Sequence, residues 1–154
     1  MRVYLVRHGK ARPKEEDADR HLTDGGRAEV RKVAEFLKPR KIRVGAVWHS
    51  TKTRAIETAN EIRAAVKAAD GLVERGDLAP NDAVAALARE IMRRDDDLMI
   101  VGHLPLLGRL ASRLIVGAES AEVLAMATGS VACLAHDSEY GWSVVWMVTP
   151  ELLK

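Results

Sequence analysis

The sequence has a single cysteine, Cys133, and no long uninterrupted apolar run. One cysteine cannot form a disulfide within the chain, which favours a reducing compartment. The longest stretch without a charged residue, 123–136, is too short to span a bilayer. The opening residues, MRVYLVRHGK, carry charges too early and too often for a signal peptide. We therefore expect a cytoplasmic protein that is not inserted in a membrane.

The chain also lacks a strong excess of charge of either sign. Its 24 Lys and Arg residues against 22 Asp and Glu give a net charge of +2, which argues against nucleic-acid binding by bulk charge. Apolar residues make up 47% of the 154 residues and charged residues 30%, as in globular proteins. With no repeat or linker visible, we expect one domain over residues 1–154.

Strand and helix patterns alternate along the chain. Short runs rich in β-forming residues predict strands at 2–6, 44–50, 72–76, 97–103, 130–137 and 142–148. Amphipathic stretches predict helices at 22–39, 51–69, 79–94 and 104–117. This order predicts an α/β fold, namely a three-layer α/β/α sandwich whose mostly parallel central sheet carries an antiparallel hairpin at one edge.

Polar side chains follow three of the predicted strands. Arg7 and His8 end the first strand, Ser50 ends the second and precedes Arg54, and His103 ends the most apolar strand. Ligands of parallel α/β sheets bind at the carboxyl ends of the strands. We therefore expect these five side chains to converge on one pocket.

The residue types at these strand ends suit phosphoryl transfer. Two guanidinium groups can each bind two phosphate oxygens, and an unprotonated imidazole can act as a nucleophile. Neighbouring arginine charges lower a histidine pKa and keep the ring neutral. Gly9 would let the backbone approach the ligand closely. Ser50 could line the pocket or cap the following helix.

Four segments in order, LVRHGKA, LTDGG, STKTRAIETA and VGHLP, resemble the motifs of the histidine phosphatase superfamily, whose fold is phosphoglycerate mutase-like. The short chain and its LAPND segment are most similar to the SixA-type phosphohistidine phosphatases. The resemblance implies that His8 is the nucleophile and forms a phosphohistidine intermediate. It implies that Arg7, Arg54 and His103 bind the phosphate, and it implies no metal or organic cofactor.

The sequence departs from the family pattern at one position and leaves one role unassigned. Lys10 stands where the family usually has an acidic residue, and it either faces solvent, the reading we favour, or adds charge at the pocket mouth. Asp77 and Asp82 are candidate proton donors, although Asp82 is more simply the cap of the next helix.

The expected substrate is a phosphorylated protein, such as one with a histidine-phosphotransfer domain, or a small phosphoester. A phosphoimidazole can leave as neutral imidazole, so a weak or absent acid favours phosphohistidine on a protein. The alternatives are a general small-molecule phosphomonoesterase and a non-catalytic phosphate-binding module. The sequence identifies neither the partner protein nor the oligomeric state.

Overall fold

The computed structural model describes residues 1–154 and contains eight strands and four α-helices. The strands are β1 (Arg2–Arg7), β2 (Ile42–Val44), β3 (Ala46–Ser50), β4 (Val66–Ala68), β5 (Leu72–Arg75), β6 (Leu98–Gly102), β7 (Val131–Asp137) and β8 (Gly141–Val148). The helices are α1 (Asp24–Leu37), α2 (Thr53–Ile62), α3 (Ala85–Met92) and α4 (Leu106–Val116).

Six strands form the central sheet in the order β5-β3-β6-β1-β7-β8. The first four run parallel, and β7 and β8 form an antiparallel hairpin at the edge. Strand β6, the most apolar one, is buried along its whole length in the interior of the sheet. The prediction of a mostly parallel sheet with an antiparallel edge hairpin is confirmed.

Two apolar clusters cover the two faces of the sheet. Helices α1 and α2 pack on one face through Val33, Leu37 and Ile62 among others. Helices α3 and α4 pack on the other face, where Ile91 and Leu110 are fully buried. The helical residues that face the sheet recur at three- and four-residue spacing, so each helix buries one stripe. The result is the expected three-layer sandwich.

The predicted helix over 51–69 is wrong in its second half. Helix α2 ends at Ile62, a short 3₁₀ turn follows, and Val66–Ala68 pairs as β4 with β2 in a separate two-stranded sheet. Pairing with Ile42–Val44 overrides the helix propensity of this alanine-rich segment. The predicted strand 44–50 is likewise divided at Gly45, which separates β2 from β3.

The predicted helix over 79–94 begins too early. Helix α3 starts at Ala85, because residues 79–82 form a turn instead. In this turn the amide of Ala79 donates to Asp82 Oδ2 at 2.8 Å, and the Arg109 guanidinium donates to the Asp82 carbonyl at 2.7 Å. Asp82 therefore does not cap α3, whose N-cap residue is Val84.

Helix α1 begins as the sequence indicates. Thr23 is its N-cap, and its hydroxyl oxygen accepts from the Gly26 amide at 2.9 Å. Gly26 is buried against the segment after β1, where an added Cβ would lie 2.2 Å from the Lys10 carbonyl oxygen. The start of α1 thus packs directly on the backbone that follows the first strand.

None of the helices is long and apolar enough to cross a membrane.

Candidate active site

The ends of β1, β3 and β6 bring the expected polar residues together at one edge of the sheet. Arg7 pairs with Gly102 in register, and the His8 amide donates to the Gly102 carbonyl at 2.9 Å. The rings of His8 and His103 lie with their centroids 5.1 Å apart. The parallel pairing of β1 with β6 therefore sets the two histidines side by side.

The backbone holds His8 in one tautomer. Its Nδ1 lies 2.8 Å from the Gly9 carbonyl oxygen, which can only accept, so Nδ1 carries the proton. Burial, with the nearby charges of Arg54 and Arg7, lowers the His8 pKa to about 4. The ring is therefore neutral at pH 7, and its Nε2 lone pair is free to attack an electrophile.

Whereas His8 uses Nδ1, His103 forms its hydrogen bond through Nε2. Its Nε2 lies 2.8 Å from Ser50 Oγ, which also accepts from the Lys52 amide at 3.2 Å. When the Ser50 hydroxyl donates to Nε2, the remaining proton of the neutral ring lies on Nδ1. His103 Nδ1 is buried and has no partner in the protein. Burial, followed by the Arg54 charge, lowers the His103 pKa to about 3, so a neutral ring offers one N–H donor.

Arg7 and Arg54 are cations without carboxylate partners. Arg7 is anchored through Nη1, which donates to the Met126 carbonyl at 2.7 Å. The Nε atoms of both arginines are buried without a partner, and burial is the main cause that lowers both pKa values. Because buried polar groups in proteins are normally satisfied, these nitrogens are suited to an anion that arrives with the substrate.

Two of the expected phosphate ligands serve other purposes. The Gly9 amide donates to Thr58 Oγ1 at 2.9 Å, so it is not free for a ligand. A Cβ on Gly9 would lie 2.8 Å from Val30 Cγ2, so glycine is needed for packing against α1 rather than for approach to a ligand. Ser50 is 1% exposed and its hydroxyl is engaged with His103. It therefore orients that ring.

A cavity of about 700 Å³ lies at this edge and includes Arg54 in its wall. Lys14, Arg20 and Lys52 contribute further positive charge, and Asp82 is one of two acidic residues that line it. Arg7 and the two histidines are not part of the cavity wall; His8 is 8% and His103 1% exposed. Arg54 thus links an open, cationic entrance to a buried pair of imidazoles.

Arg20 is a site residue that the sequence did not reveal. It lies in a charged loop that resembles any solvated segment, yet it lines the cavity and its charge helps to lower the pKa of His8 and His103. Its backbone has a φ of 52°, a left-handed conformation that is uncommon for arginine. Its Nε donates to the Arg12 carbonyl at 3.1 Å. No local sequence signal marks this placement.

The two candidate proton donors differ in position. Asp82 lines the cavity, as stated above, whereas Asp77 does not. Both Asp77 oxygens accept from Arg75, at 3.0 and 2.7 Å. Lys10 is exposed and lies outside the cavity wall, as expected for a side chain that faces solvent.

The family description "Histidine phosphatase superfamily (branch 1)" matches residues 3–78, which contain Arg7, His8 and Arg54. Phosphohistidine phosphatase SixA of Escherichia coli (strain K12) is 26% identical over 159 residues, covering 100% of this chain and 97% of that protein. An uncharacterised protein of Picosynechococcus sp. is 29% identical over 150 residues, covering 88% of this chain and 90% of that protein.

Solved structures show the same similarity. A structure of the protein histidine phosphatase SixA complexed with tungstate superposes with a TM-score of 0.86 at 25% identity, over 100% of both chains. The putative phosphohistidine phosphatase SixA from Agrobacterium tumefaciens superposes with a TM-score of 0.75 at 26% identity, over 97% of both chains.

Proposed function

We propose that this chain, whose residues 3–78 match the histidine phosphatase superfamily, is a phosphohistidine phosphatase, a hydrolase that removes the phosphoryl group from a histidine side chain of a protein. One observation carries the proposal. His8, with a free Nε2 lone pair, lies beside His103 and close enough to Arg7 and Arg54 for their charges to lower its pKa. Arg7 Nε, Arg54 Nε and His103 Nδ1 are buried without partners. Such a set suits nucleophilic attack on a tetrahedral anion.

In the first step, His8 Nε2 attacks the phosphorus of the substrate. A new N–P bond forms on His8 as the P–N bond to the substrate imidazole breaks. The departing ring takes the bonding pair, and a proton already on its other nitrogen makes it a neutral leaving group. No protein acid is then required for this step.

In the second step, water attacks the phosphorus of the phosphorylated His8. The N–P bond breaks, the electron pair returns to Nε2, and inorganic phosphate leaves with both protons of the attacking water, as H₂PO₄⁻. Arg7, Arg54 and the His103 N–H bind the phosphoryl oxygens in both steps, because these oxygens carry negative charge in both transition states. The Gly9 carbonyl keeps the proton on Nδ1 throughout.

The cationic entrance supports a phosphorylated protein as substrate. The cavity, of about 700 Å³ and open to solvent, offers room for a side chain displayed on a folded partner, such as a histidine-phosphotransfer domain. The names of the similar proteins given above point to phosphohistidine as well. The single cysteine, Cys133, is a buried free thiol, which supports a reducing compartment such as the cytoplasm.

The position of Asp82 favours a second candidate function, hydrolysis of small phosphomonoesters. An alcohol leaving group needs a proton, and Asp82 is a carboxyl group in the cavity wall close to Arg54. Its Oδ2 accepts from Ala79, which leaves Oδ1 for a substrate.

Rates on two substrates test the choice between them. We expect hydrolysis of a phosphohistidine-bearing protein to exceed that of sugar phosphates by at least about 100-fold in kcat/KM, or about 2.7 kcal/mol. Asp82→Asn should leave the phosphohistidine reaction unchanged. Asp77→Asn is the matched control outside the cavity. Faster turnover of sugar phosphates, with loss in Asp82→Asn alone, would favour the phosphomonoesterase.

Substitution of the nucleophile tests catalysis itself. His8→Ala should reduce turnover by at least about 10⁴-fold, because no other group can accept the phosphoryl. It should retain tungstate or phosphate binding by calorimetry, and an alkaline quench, in which phosphohistidine is stable, should trap a phosphoenzyme from the wild type and none from the variant. His136→Ala, which changes an exposed histidine on the edge hairpin, is the control. Anion binding by a wild-type protein that turns over no phosphorylated substrate would instead favour a binding module.

A further inference from the structure

The edge of the sheet opposite the candidate active site carries a concentration of positive charge. We call it the basic face and define it by the six cations Arg2, Lys38, Arg40, Lys41, Arg43 and Lys67. They line two cavities of about 350 and 410 Å³, which share Lys41, Ile42 and Arg43 and are therefore adjacent. Asp97 is the one acidic residue in either wall, and its Oδ1 accepts from the Arg2 amide.

The charge of the basic face is not balanced by acidic side chains. None of its six cations forms an ion pair, whereas Arg27, Arg75 and Arg113, elsewhere on the surface, all pair with carboxylates. The net charge of the whole chain is only +2, so this concentration is local. A surface of this kind attracts an anionic partner over a distance of about 10 Å at 0.1 M salt.

An apolar groove adjoins the basic face. It has a volume of about 450 Å³, and seven of its eight lining residues are hydrophobic. Arg40 and Trp146 belong both to this groove and to the basic face cavities, so the two surfaces meet. Phe36 and Leu152 are 37% and 69% exposed within it. The molecule therefore offers a groove for apolar side chains with cations along one side.

The basic face lies away from the candidate active site, whereas one end of the groove, at Val148, is level with Val6 across β7. Strand β1 ends at Arg7 beside the two histidines and starts at Arg2, which lines the basic face. Six residues of strand span about 17 Å at 3.3 to 3.4 Å per residue. A partner bound at the basic face would leave the entrance to the site open.

We propose that the basic face and its apolar groove bind an acidic, amphipathic segment of a partner protein. Apolar side chains on one side of such a segment would fill the groove, and carboxylates beside them would meet the cations. Nucleic acid fits less well, because its sugar–phosphate backbone has no apolar side chains to fill the groove. A bilayer fits less well too, because the apolar residues line a concave groove rather than project from the surface.

Binding of a defined peptide tests this proposal, with no dependence on phosphatase activity. The probe is a fluorescein-labelled peptide of about 14 residues, roughly four helical turns, with leucines at i, i+3, i+4 and i+7 and glutamates elsewhere. We expect saturable binding with a Kd on the order of 10 μM that weakens as salt is raised. A peptide with lysine in place of every glutamate should not bind.

Two protein variants identify the surface. Lys41→Glu with Arg43→Glu should weaken peptide binding by at least about tenfold, and Leu152→Ser should weaken it through the groove. Arg89→Glu with Arg93→Glu reverses two exposed, unpaired cations on and after α3 and should bind as the wild type does. All of these variants should keep wild-type turnover, which separates this test from that of the proposed function.

Several results would overturn the proposal. Equal weakening by the control variant would mean that only total charge matters. Tighter binding of single-stranded DNA or of phosphatidylserine vesicles would assign the surface to a different class of partner. Sedimentation of a dimer that Lys41→Glu with Arg43→Glu dissociates would assign it to a second copy of this chain.

Discussion

Helix α2 carries two kinds of charged surface. On the side that faces α1, Glu57 and Glu61 pair with Arg27 at 2.7 and 3.0 Å. In the first turn of the same helix, Arg54 has no carboxylate partner, and its Nε is buried. A charge in a buried position is costly to leave unpaired. Arg27 therefore has its carboxylate partners within the folded protein. Arg54 has none, and a phosphoryl group can supply the missing anion.

The largest expected effect is a difference in kcat/KM between the variants Arg54→Ala and Arg27→Ala. Loss of the Arg54 fork should reduce kcat/KM on a phosphohistidine protein by about 10³-fold, because charge on the phosphoryl oxygens then lacks a bidentate partner. Arg27→Ala should stay within about threefold of wild type, since the Arg27 guanidinium is paired with Glu57 and Glu61. Steady-state kinetics measure both.

The free energies of unfolding of the same two variants give a second comparison of Arg27 with Arg54. Arg27→Ala should lower the free energy of unfolding by about 0.5–1 kcal/mol. Arg54→Ala should leave it unchanged or raise it, because an unpaired and partly buried charge is removed. Equal losses of stability would mean that Arg54 has a structural partner after all.

The second expected effect concerns proton affinity. The pKa of His8 is lowered from 6.5 to about 4 and that of His103 to about 3, in both cases mainly by burial. Exposed His21 differs, because its hydrogen bond to Asp17 raises its pKa. NMR titration should show the His21 ring signal moving with a pKa above the ordinary 6.5, while those of the other two stay fixed above about pH 5.

The sign of the pH dependence follows from these shifts. Between about pH 4 and 6.5 the unfolded chain binds protons that folded His8 and His103 exclude. Stability should therefore rise with pH across this window and level off above it. Turnover should likewise persist to about pH 5 and fall as His8 becomes protonated. A His8 ring that titrates near 6.5 would contradict both expectations.

A smaller effect on kcat is expected from substitution of Thr58, which hydrogen-bonds both to the segment after β1 and to the first turn of α2. Its Oγ1 accepts from the Gly9 amide at 2.9 Å and donates to the Arg54 carbonyl at 2.7 Å. Thr58→Val keeps the shape but leaves the Gly9 amide unsatisfied. We expect kcat to fall about tenfold with KM nearly unchanged, and Thr58→Ser should restore it.

Thr149→Val is the matched control for Thr58→Val. Thr149 Oγ1 has no hydrogen-bond partner, so its loss should affect neither kcat nor stability adversely. A change in KM rather than kcat in Thr58→Val would mean that Thr58 acts on substrate binding instead of on the position of His8.

The smallest effect is expected at Glu61, on the paired side of α2. Glu61→Gln removes the charge that faces Arg27 and Arg31. Chemical denaturation should show a loss of up to about 1 kcal/mol that shrinks at high salt, with turnover unchanged. A drop in turnover would show that the two sides of the helix are not independent.

Much of the fold and site could be predicted because each depends on local pattern. The apolar run of β6 predicted an interior strand. His8 and His103 were recognised as site candidates because they directly follow β1 and β6. Parallel pairing then requires those ends to meet. The same reasoning failed for residues 66–68, where helix propensity is good but pairing with β2 decides the structure.

Other features depend on contacts between distant segments and could not be predicted. Arg20 lies in a charged loop whose left-handed backbone has no glycine to signal it. The partners of the Gly9 amide and the Ser50 hydroxyl could not be predicted, because residue type alone does not say whether an amide or hydroxyl is already engaged. Only the positions of Thr58 and His103 reveal that both are.

The close contact between Gly26 and the Lys10 carbonyl has a consequence for how substitutions along this chain are interpreted. Position 26 takes no part in the chemistry, yet even one methyl group there would push against the main chain two residues after the nucleophile. Because the atoms that the methyl group would meet belong to the Lys10 backbone, no side chain can rotate away to make room. Intolerance to alanine at this helix position would therefore report steric support of His8, and it should not be mistaken for evidence of a ligand contact.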